Sequence, residues 1–380
     1  MKKLAIIGAS YLQLPLIRKA KAMGLQTHVF AWKAGDVGEA EADYFYPISI
    51  VERDRILAAC RGIGIDGICS IASDLAMLTV NYVAGQLGLT ANSMEATRVS
   101  TNKNEMRRRF AACGDPSPRS VRVRSVADLS KNELSFPLIV KPVDRSGSRG
   151  ITKVTEYDQL DEAIERAKEQ GFEKVALVEE FAEGVEYSVE SLSWQGRHRV
   201  LAVTRKFTTG APDFIETGHL EPAGLDAQTR ARVEAVTTHA LTSLGLAYGA
   251  SHTELKIDDT GGIRLIEIGG RMGGDCIGSS LVELSTGVDF VRAVIEIALG
   301  SEPTGLEPSL DRAAAVRFVF SRPDLEALER VRAEAPGLLV ESSVAPLDDR
   351  QVTDSSSRFG YYLLCADTPA ELVRFLPEDR

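Results

Sequence analysis

The sequence predicts a mixed α/β and α+β protein of several domains. Apolar strands alternate with amphipathic helices through residues 1–115, which indicates an open parallel sheet with helices on both faces. Strand patterns at residues 185–194 and 199–207 flank a Gln195-Gly196 turn and indicate antiparallel pairing. From about Pro303, short strands with one helix indicate a small C-terminal β-rich domain.

Length and composition narrow the class of protein. The chain has 380 residues, enough for two or three domains, and is 44% hydrophobic and 26% charged, as in soluble globular proteins. A net charge of −10 argues against binding to nucleic acid or to an anionic membrane. The five cysteines form no CxxC pair, and the N-terminal apolar run is too short for a signal peptide. We therefore expect a cytoplasmic protein.

The N-terminal region offers only weak ligand-binding motifs. Strands at 4–7, 26–31 and 67–71 and a shorter one at 43–48 alternate with helices. The first turn, Gly8-Ala9-Ser10, lacks the full GxGxxG pattern of dinucleotide-binding folds. Ligands of such sheets lie at the carboxyl ends of the strands. This rule points to residues 10–13 and 73–74, although an ordinary loop role stays open for each of them.

Two basic features follow the N-terminal region. Residues 102–113 form a predicted helix in which Lys103 stands apart from an arginine cluster, and Pro116 and Pro118 then mark a boundary near residue 115. Lys141 lies at the end of an apolar strand, and the loop 144–150 combines glycine and serine with two arginines. Free backbone N–H groups and positive charge suit triphosphate oxygens. A surface turn without a ligand is the alternative for this loop, which lacks the Walker pattern.

A β-hairpin is predicted at residues 253–268, with strands at 253–257 and 263–268. The pattern places Glu254 beside Glu267 on neighbouring strands, with Leu265 and Glu267 on the same face. Two adjacent carboxylates repel each other, and a divalent cation between them removes the repulsion. Magnesium takes one or two carboxylates together with phosphate oxygens. Arg271 follows close enough to reach a phosphoryl group. The alternative is an edge hairpin with two solvated glutamates.

Residues 208–224 are predicted to be a long irregular loop, and such loops often cover active sites. His219 in this loop and His252 before the hairpin both neighbour predicted site elements. Either can contact a substrate or act as an acid or base, and a structural role is the alternative for each. Glu216 is a candidate for binding an ammonium group. Further helices are predicted at 227–244 and 282–299.

The order of these motifs resembles the ATP-grasp superfamily. The matching features are the lysine of the basic helix, the strand end VKP, the glycine–serine loop, the EEF segment and the TEL…IEIGGR hairpin. The chain is most similar to amino-acid (dipeptide) ligases and carbamoyl-phosphate-synthase-like proteins, and residues 354–366 resemble the biotin carboxylase type. The resemblance implies a pre-ATP-grasp domain at 1–115, a small lid subdomain at 116–190, a large subdomain with the metal site at 191–302, and a C-terminal domain at 303–380.

The resemblance also implies roles for individual residues. Glu254 and Glu267 match the magnesium ligands, and Arg271 matches the arginine that stabilises the acyl phosphate and the tetrahedral intermediate. The implied nucleotide contacts are Lys103 and Lys141 for phosphates, Arg145, Ser146, Gly147 and Ser148 for the lid over the triphosphate, Glu179, Glu180, Phe181 and Ala182 for adenine, and Glu186 for ribose, with Glu183 as the alternative. Gly269 stands where most members carry asparagine, a third metal ligand. Arg350 resembles a substrate-anion arginine.

The implied activity is that of an ADP-forming carboxylate–amine ligase that uses ATP and Mg²⁺, with Mn²⁺ as a substitute. A carboxylate attacks the γ-phosphate, and an amine then displaces phosphate from the acyl phosphate. The implied partners are a small carboxylate and an amine, with a homodimer as one assembly that the resemblance allows. Two alternatives remain open: a bicarbonate-activating carboxylase-type enzyme, and a non-catalytic nucleotide sensor suggested by Gly269.

Overall fold

Three β-sheets organise the protein. The structure, a computed structural model, describes residues 1–130, 133–145 and 147–377. Among these residues, no helix is both long enough and apolar enough to cross a membrane.

The N-terminal region is an open parallel sheet, as predicted. Strand β1 pairs in parallel with β2 and β4, and β2 pairs in parallel with β3, so the order is β3-β2-β1-β4. Its elements are β1 (Lys3–Ile7), α1 (Leu14–Ala22), β2 (Gln26–Phe30), α2 (Val37–Glu41), β3 (Tyr44–Tyr46), α3 (Arg53–Ile63), β4 (Gly67–Cys69) and α4 (Asp74–Leu87).

Two helices connect this sheet to the rest of the chain. They are α5 (Met94–Thr101) and α6 (Lys103–Cys113), of which the sequence predicted only the second. Asn102 separates them, and its side chain accepts hydrogen bonds from the backbone N–H groups of Asn104 and Glu105. This N-cap starts α6 at Lys103 and aims the first helical side chain at the site described below.

The second sheet is small and antiparallel. It consists of β5 (Ser120–Val123), β6 (Leu138–Pro142), β7 (Thr152–Val154) and β8 (Ala176–Glu180), in the order β5-β8-β6-β7. Helix α7 (Leu160–Gln170) covers one face, where Ile164 packs in one core cluster with Val140 and Val178. The end of β6 carries Lys141, and the end of β8 carries Glu179.

The third sheet has eight strands in the order β13-β12-β9-β10-β11-β14-β16-β15. Its strands are β9 (Val185–Trp194), β10 (Arg197–Thr208), β11 (Glu216–Glu221), β12 (Gly249–Ile257), β13 (Ile263–Gly269), β14 (Ala313–Phe318), β15 (Leu339–Val344) and β16 (Gly360–Ala366). The associated helices are α8 (Ala227–Leu244), α9 (Val282–Thr286), α10 (Phe290–Ala298), α11 (Arg322–Glu334) and α12 (Pro369–Val373). The strands of the predicted C-terminal domain therefore continue the sheet of the predicted large subdomain.

Two sequence-based predictions were wrong in this region. The segment 208–224 is not irregular throughout, because it contains β11, which pairs with β10 on one side and β14 on the other. The helix predicted at 282–299 is two helices preceded by a π-helical turn, Ile277–Leu281. Gly287 ends the first helix in the left-handed conformation, with φ of +75°. Glycine adopts this conformation without steric cost, and it stops helices for that reason.

A buried carboxyl group lies beneath the junction of β10 and β11. Glu221 is almost fully buried and accepts hydrogen bonds from the hydroxyls of Thr204, at 2.7 Å, and Ser285. Burial raises the pKa of the Glu221 carboxyl from 4.5 to about 7, because the hydroxyls stabilise its charge less than water does. The raised pKa means that the folded protein binds this proton more tightly than the unfolded chain. The protonated Glu221 carboxyl therefore contributes to the free energy of unfolding below pH 4.5, and this contribution is lost as the pH rises towards 7.

We predict that Glu221→Gln removes this pH dependence, since an amide of the same shape keeps hydrogen-bonding capacity without a charge. Relative to wild type, the variant gains up to about 3 kcal/mol of unfolding free energy above pH 7. Unfolding monitored in denaturant between pH 5 and pH 8.5 measures the difference. Glu326→Gln, at an exposed site on α11, is the control. Parallel pH curves for wild type and Glu221→Gln would contradict the assignment.

Candidate active site

A cavity of about 510 Å³ lies where the three sheets approach one another. Its volume is within the range of small-molecule and cofactor pockets. The described residues that the resemblance assigns to catalysis, nucleotide or metal all line it except Glu180 and the alternative ribose contact Glu183, and Ser146 lies outside the described residues. Of the weaker candidates, residues 10–12 and Asp74 line it, whereas Gln13 and Ser73 do not. The structure therefore brings together residues that the sequence separates by more than a hundred positions. Their individual roles remain predictions.

The hairpin of β12 and β13 forms one wall. Glu254 lies directly opposite Glu267 in the antiparallel register, as predicted. The predicted alternation of β13 is wrong, because Leu255 pairs with Leu265 and leaves Ile266 as an extra residue in a β-bulge. The bulge sends Leu265 into the core and turns Ile266 towards the cavity beside Glu267.

Lys206 on β10 neutralises the first of these glutamates. Its Nζ lies 2.7 Å from Glu254 Oε1, 3.0 Å from Glu186 and 3.6 Å from Glu216, and its side chain is only 3% exposed. Burial opposes the charge, but the three carboxylates raise the pKa of Lys206 well above its usual value. Burial likewise opposes the charge of Glu254, yet Lys206 and then His252 hold the pKa of its carboxyl well below normal.

The sequence analysis missed Lys206. The signal that could have found it is its position in β10, a strand in which residues 201–204, 206 and 207 are all buried, so that both faces are covered. A lysine at a buried strand position needs an anionic partner.

Lys103 holds the second glutamate. Its ammonium group lies 2.7 Å from Glu267 Oε1 and donates to the backbone carbonyl of Arg145, also at 2.7 Å. One lysine at the first turn of α6 thus contacts both the hairpin of β12 and β13 and the start of the glycine–serine loop. This position suits a group that exchanges a carboxylate for a phosphate oxygen when a nucleotide binds.

Lys141 and Glu179 form a buried pair below Lys103. Glu179 contacts the ammonium group of Lys141 with one oxygen and lies 3.0 Å from Arg107 Nη2 with the other. Burial lowers the pKa of Lys141, and Glu179 opposes that effect. Both oxygens of Glu179 are therefore engaged by cations. Its side chain holds Lys141 in position in this conformation, and its predicted contact with adenine stays a prediction.

The predicted adenine hinge is only partly available in the described conformation. The carboxylate of Glu180 turns away from the cavity and accepts hydrogen bonds from Arg119, at 3.4 Å, and from the Ser135 N–H, at 3.0 Å. The backbone N–H of Phe181 donates to Pro137. The backbone N–H of Glu180 also donates, to the Arg119 carbonyl, and its predicted contact with the adenine amino group stays a prediction. The ring of Phe181 faces Lys153 and Lys256, whose ammonium groups lie 3.8 and 4.6 Å from its centroid.

The glycine–serine loop closes over the cavity. Ser148 Oγ donates to the carbonyl of Phe214 at 2.9 Å, which ties this loop to the segment before β11. The Arg145 guanidinium stacks on Phe172, and its buried Nε has no hydrogen-bond partner in the described structure. A buried N–H of this kind is available to an anionic ligand.

His252 bridges two glutamates. Its Nδ1 contacts Glu190, whose other oxygen accepts a hydrogen bond from the Gly273 N–H at 2.9 Å, and its Nε2 lies 3.3 Å from Glu254. Burial opposes the protonated ring, but Glu190 raises the pKa of His252 to about 9. His252 is therefore a cation that helps to neutralise the hairpin before a ligand binds.

His219, in contrast to His252, is uncharged. The ring is 1% exposed, and neither of its nitrogens has a hydrogen-bond partner within the described part of the chain. It packs edge-on against Phe318, with 5.7 Å between the ring centroids. Burial first, and then the charge of Lys206, hold the pKa of His219 well below normal. A neutral imidazole with unpaired nitrogens on a cavity wall can accept a proton or donate a hydrogen bond to a bound ligand.

Arg271 is paired with Asp74 from the N-terminal sheet. The two hydrogen bonds measure 2.9 and 3.0 Å, and burial is outweighed by Asp74, which raises the pKa of Arg271. This pair explains Gly269, where a Cβ atom would lie 2.6 Å from Asp74 Oδ1. Asp74 and Arg271 occupy the space that an asparagine at this position would need.

The sequence analysis assigned one arginine of the C-terminal region to the site wrongly and missed another. Arg350 does not line the cavity and instead stacks on Phe359 in an exposed loop. Arg358 lines it instead, with a bidentate contact to Asp275. Arg350 is therefore replaced by Arg358 as the cavity arginine of the C-terminal region.

The hairpin suits a magnesium ion that shares its ligands with phosphate. Within the described residues, no group of three or more His, Cys, Asp and Glu side chains is arranged to hold a metal ion. Glu254 and Glu267 supply two hard oxygen donors on one cavity wall, and Mg²⁺ commonly completes its shell with phosphate oxygens and water. The residues fit the ion that the resemblance implies.

Comparison with known proteins agrees with this geometry. A sequence profile of the ATP-grasp domain matches residues 134–279. Human carnosine synthase 1 is 27% identical over 334 residues, which cover 80% of this chain and 40% of that protein. D-alanine–D-alanine ligase of Aromatoleum aromaticum is 31% identical over 257 residues, covering 64% of this chain and 77% of that enzyme.

The similarity extends to the whole fold. The crystal structure of an L-amino acid ligase from Bacillus licheniformis superposes with a TM-score of 0.83 and 26% identity, covering 99% of this chain and 96% of that one. The chain spans about half or less of the length of the first curated relatives that it matches. Sequence profile, relatives and fold agree with the site, and the chain belongs to the ATP-grasp family.

Proposed function

We propose that the protein is an ADP-forming carboxylate–amine ligase that joins an amino acid or a related small acid to an amine. The set of side chains that line the cavity is the observation that supports this proposal. It combines a pair of opposed carboxylates, buried lysines from two further elements, and the unpaired His219. The names of the relatives, which include carnosine synthase and D-alanine–D-alanine ligase, support an amino acid as the acid.

The first step transfers the γ-phosphoryl group of ATP to the carboxylate substrate and releases ADP. Magnesium, or manganese in its place, supplies charge neutralisation of the phosphates when it is bound at Glu254 and Glu267. Lys103, Lys141 and Arg145 bind phosphate oxygens, and Glu179 holds Lys141 in position. Arg271, oriented by Asp74, stabilises negative charge at the reacting centre. Because the reaction consumes ATP, we place the protein in the cytoplasm.

The second step forms the amide bond. The amine attacks the acyl carbon of the acyl phosphate, inorganic phosphate leaves, and the amine loses one proton. We assign the acceptance of that proton to His219, because its ring nitrogens are unpaired on the cavity wall. His252 is a poorer candidate, since Glu190 keeps it protonated.

Release of ADP with panels of substrates tests the reaction class. Turnover that depends on an amino acid and an amine supports the ligase, whereas turnover on bicarbonate alone supports a carboxylase-type reaction. Nucleotide binding without turnover on either panel supports a sensor. Gly269 no longer favours the sensor, because Asp74 and Arg271 fill the position of the missing asparagine.

We predict that Glu267→Gln lowers ADP release by roughly 100-fold or more, since it removes one anionic oxygen from the metal site while preserving side-chain shape. The initial rate of ADP formation at saturating ATP and Mg²⁺ measures the effect, and the thermal unfolding midpoint confirms that the variant is folded. Asp259→Asn, at the exposed tip of the same hairpin, is the matched control. Undiminished ADP release by folded Glu267→Gln would refute the metal assignment.

We predict that His219→Gln uncouples the two steps. Amide formation falls by roughly 100-fold because the amine loses its base, while acyl-phosphate formation, and with it ADP release, persists through hydrolysis of the intermediate. The measurement is the ratio of amide product to ADP, determined on the same sample. His239→Gln, on the outer face of α8, is the control. A ratio that stays at the wild-type value would exclude His219 as the base.

A further inference from the structure

The turn after β13 carries an acidic residue into the cavity. Asp275 lies in the segment Gly273-Gly274-Asp275-Cys276, lines the cavity and is 20% exposed at its side chain. Arg358 donates to both oxygens of its carboxylate, at 2.7 and 2.9 Å. Phe181 and Ala182, the predicted adenine contacts, follow the end of β8 in the second sheet, so this corner is available to another ligand of the same cavity.

Each nitrogen of the Arg358 guanidinium already has a hydrogen-bond partner within the protein. Its Nε donates to the carbonyl of Ser355 at 2.8 Å, and its Nη1 also approaches the carbonyl of Glu216 at 3.3 Å. The guanidinium stacks on Phe318 at 3.6 Å from the ring centroid, and its side chain is only 4% exposed. An arginine with these contacts has no free pair of parallel N–H groups for a substrate anion. Its effect is to fix the orientation of Asp275.

A second observation points to a polar ligand at this corner. His219 packs against the same Phe318 ring that carries Arg358, and both of its buried nitrogens lack partners within the described residues. Buried polar atoms normally form a hydrogen bond with a protein group, a water molecule or a ligand. The unpaired imidazole and the Asp275–Arg358 pair are therefore parts of one patch of the cavity wall.

The backbone at Asp275 adopts a conformation that is uncommon for residues other than glycine. Asp275 and Cys276 both have positive φ, at +51° and +64°, which costs roughly 1–3 kcal/mol per residue for side chains of this type. Gly273 permits the turn to approach Glu190, since a Cβ at this position would lie 2.4 Å from Glu190 Oε1. The chain keeps the strained turn although it places a carboxylate in a cavity that also binds anions.

We propose that Asp275, held by Arg358, binds the ammonium group of the carboxylate substrate and makes the enzyme select an amino acid over a simple carboxylic acid. A carboxylate oxygen that accepts one N–H from arginine retains a second lone pair, and an ammonium group supplies the matching donor. The attacking amine must be neutral, so the ammonium group that persists through the reaction belongs to the acid. This inference rests on the proposed ligase function and assigns one subsite of it.

Steady-state kinetics test the assignment in the full-length protein with Asp275→Asn, which keeps the side-chain shape. The acids are the twenty proteinogenic amino acids, and each accepted one is compared with its analogue lacking the amino group, such as propionate for alanine. We expect the KM for the amino acid to rise roughly 10- to 100-fold, as for loss of a charged hydrogen bond, with KM for ATP and the unfolding midpoint unchanged. The preference for the amino acid over its analogue falls by the same factor.

Asp348→Asn, in an exposed loop of the C-terminal region, is the control, and Arg358→Lys is the second variant. If Arg358 acts through Asp275, Arg358→Lys raises the same KM and adds little in the double variant. An unchanged KM, or an equal loss for the amino acid and its analogue, overturns the proposal.

A calorimetric titration distinguishes failure of the proposed ligase function from failure of the ammonium subsite. The amino acids are titrated into protein that holds a non-hydrolysable ATP analogue and Mg²⁺. Binding to wild type but not to Asp275→Asn, without turnover by either, refutes the ligase and retains the subsite. No amino-acid binding to wild type refutes the subsite.

Discussion

The opposition of Glu254 and Glu267 is the constraint on which the rest of the site depends. Like charges directly opposite on neighbouring strands destabilise a sheet, and here they lie in a largely buried wall. The fold offsets the repulsion with Lys206 from β10 and His252 from β12 on the first glutamate, and with Lys103 from α6 on the second. Because Lys206 and Lys103 come from elements outside the hairpin, compensation of both glutamates requires those elements to be assembled around it.

A second layer of charges holds the first in place. Glu190 fixes His252, Glu179 fixes Lys141, and Asp74 fixes Arg271. Removal of one member of a buried ion pair typically costs 3–5 kcal/mol, because the partner remains charged and unpaired. The site therefore has its charges compensated before any ligand arrives. Binding of nucleotide, metal and substrate can then proceed by exchange of partners, with little additional desolvation of the protein groups.

The sequence predicted the features that depend on local pattern. The parallel sheet, the facing glutamates and the separate position of Lys103 all follow from periodicity and spacing, and the structure confirms these placements. The sequence alone could not predict features that arise from pairing between distant parts of the chain. Strand β11 contains few apolar residues and is defined by its neighbours β10 and β14. The Asp74–Arg271 contact joins residues 197 positions apart, and the bulge at Ile266 reverses an alternation that looked regular.

The continuous eight-stranded sheet limits how this protein can be altered. Strand β11, which carries His219, would become an edge strand if β14 and the residues after it were replaced, and its unpaired N–H and C=O groups would invite association with other chains. Exchange of the whole C-terminal region is thus a poor route to new specificity. The loop between β15 and β16 carries Arg358 but leaves the strand pairing intact, so variation in substrate choice is best accommodated there, on a framework whose strand order does not change.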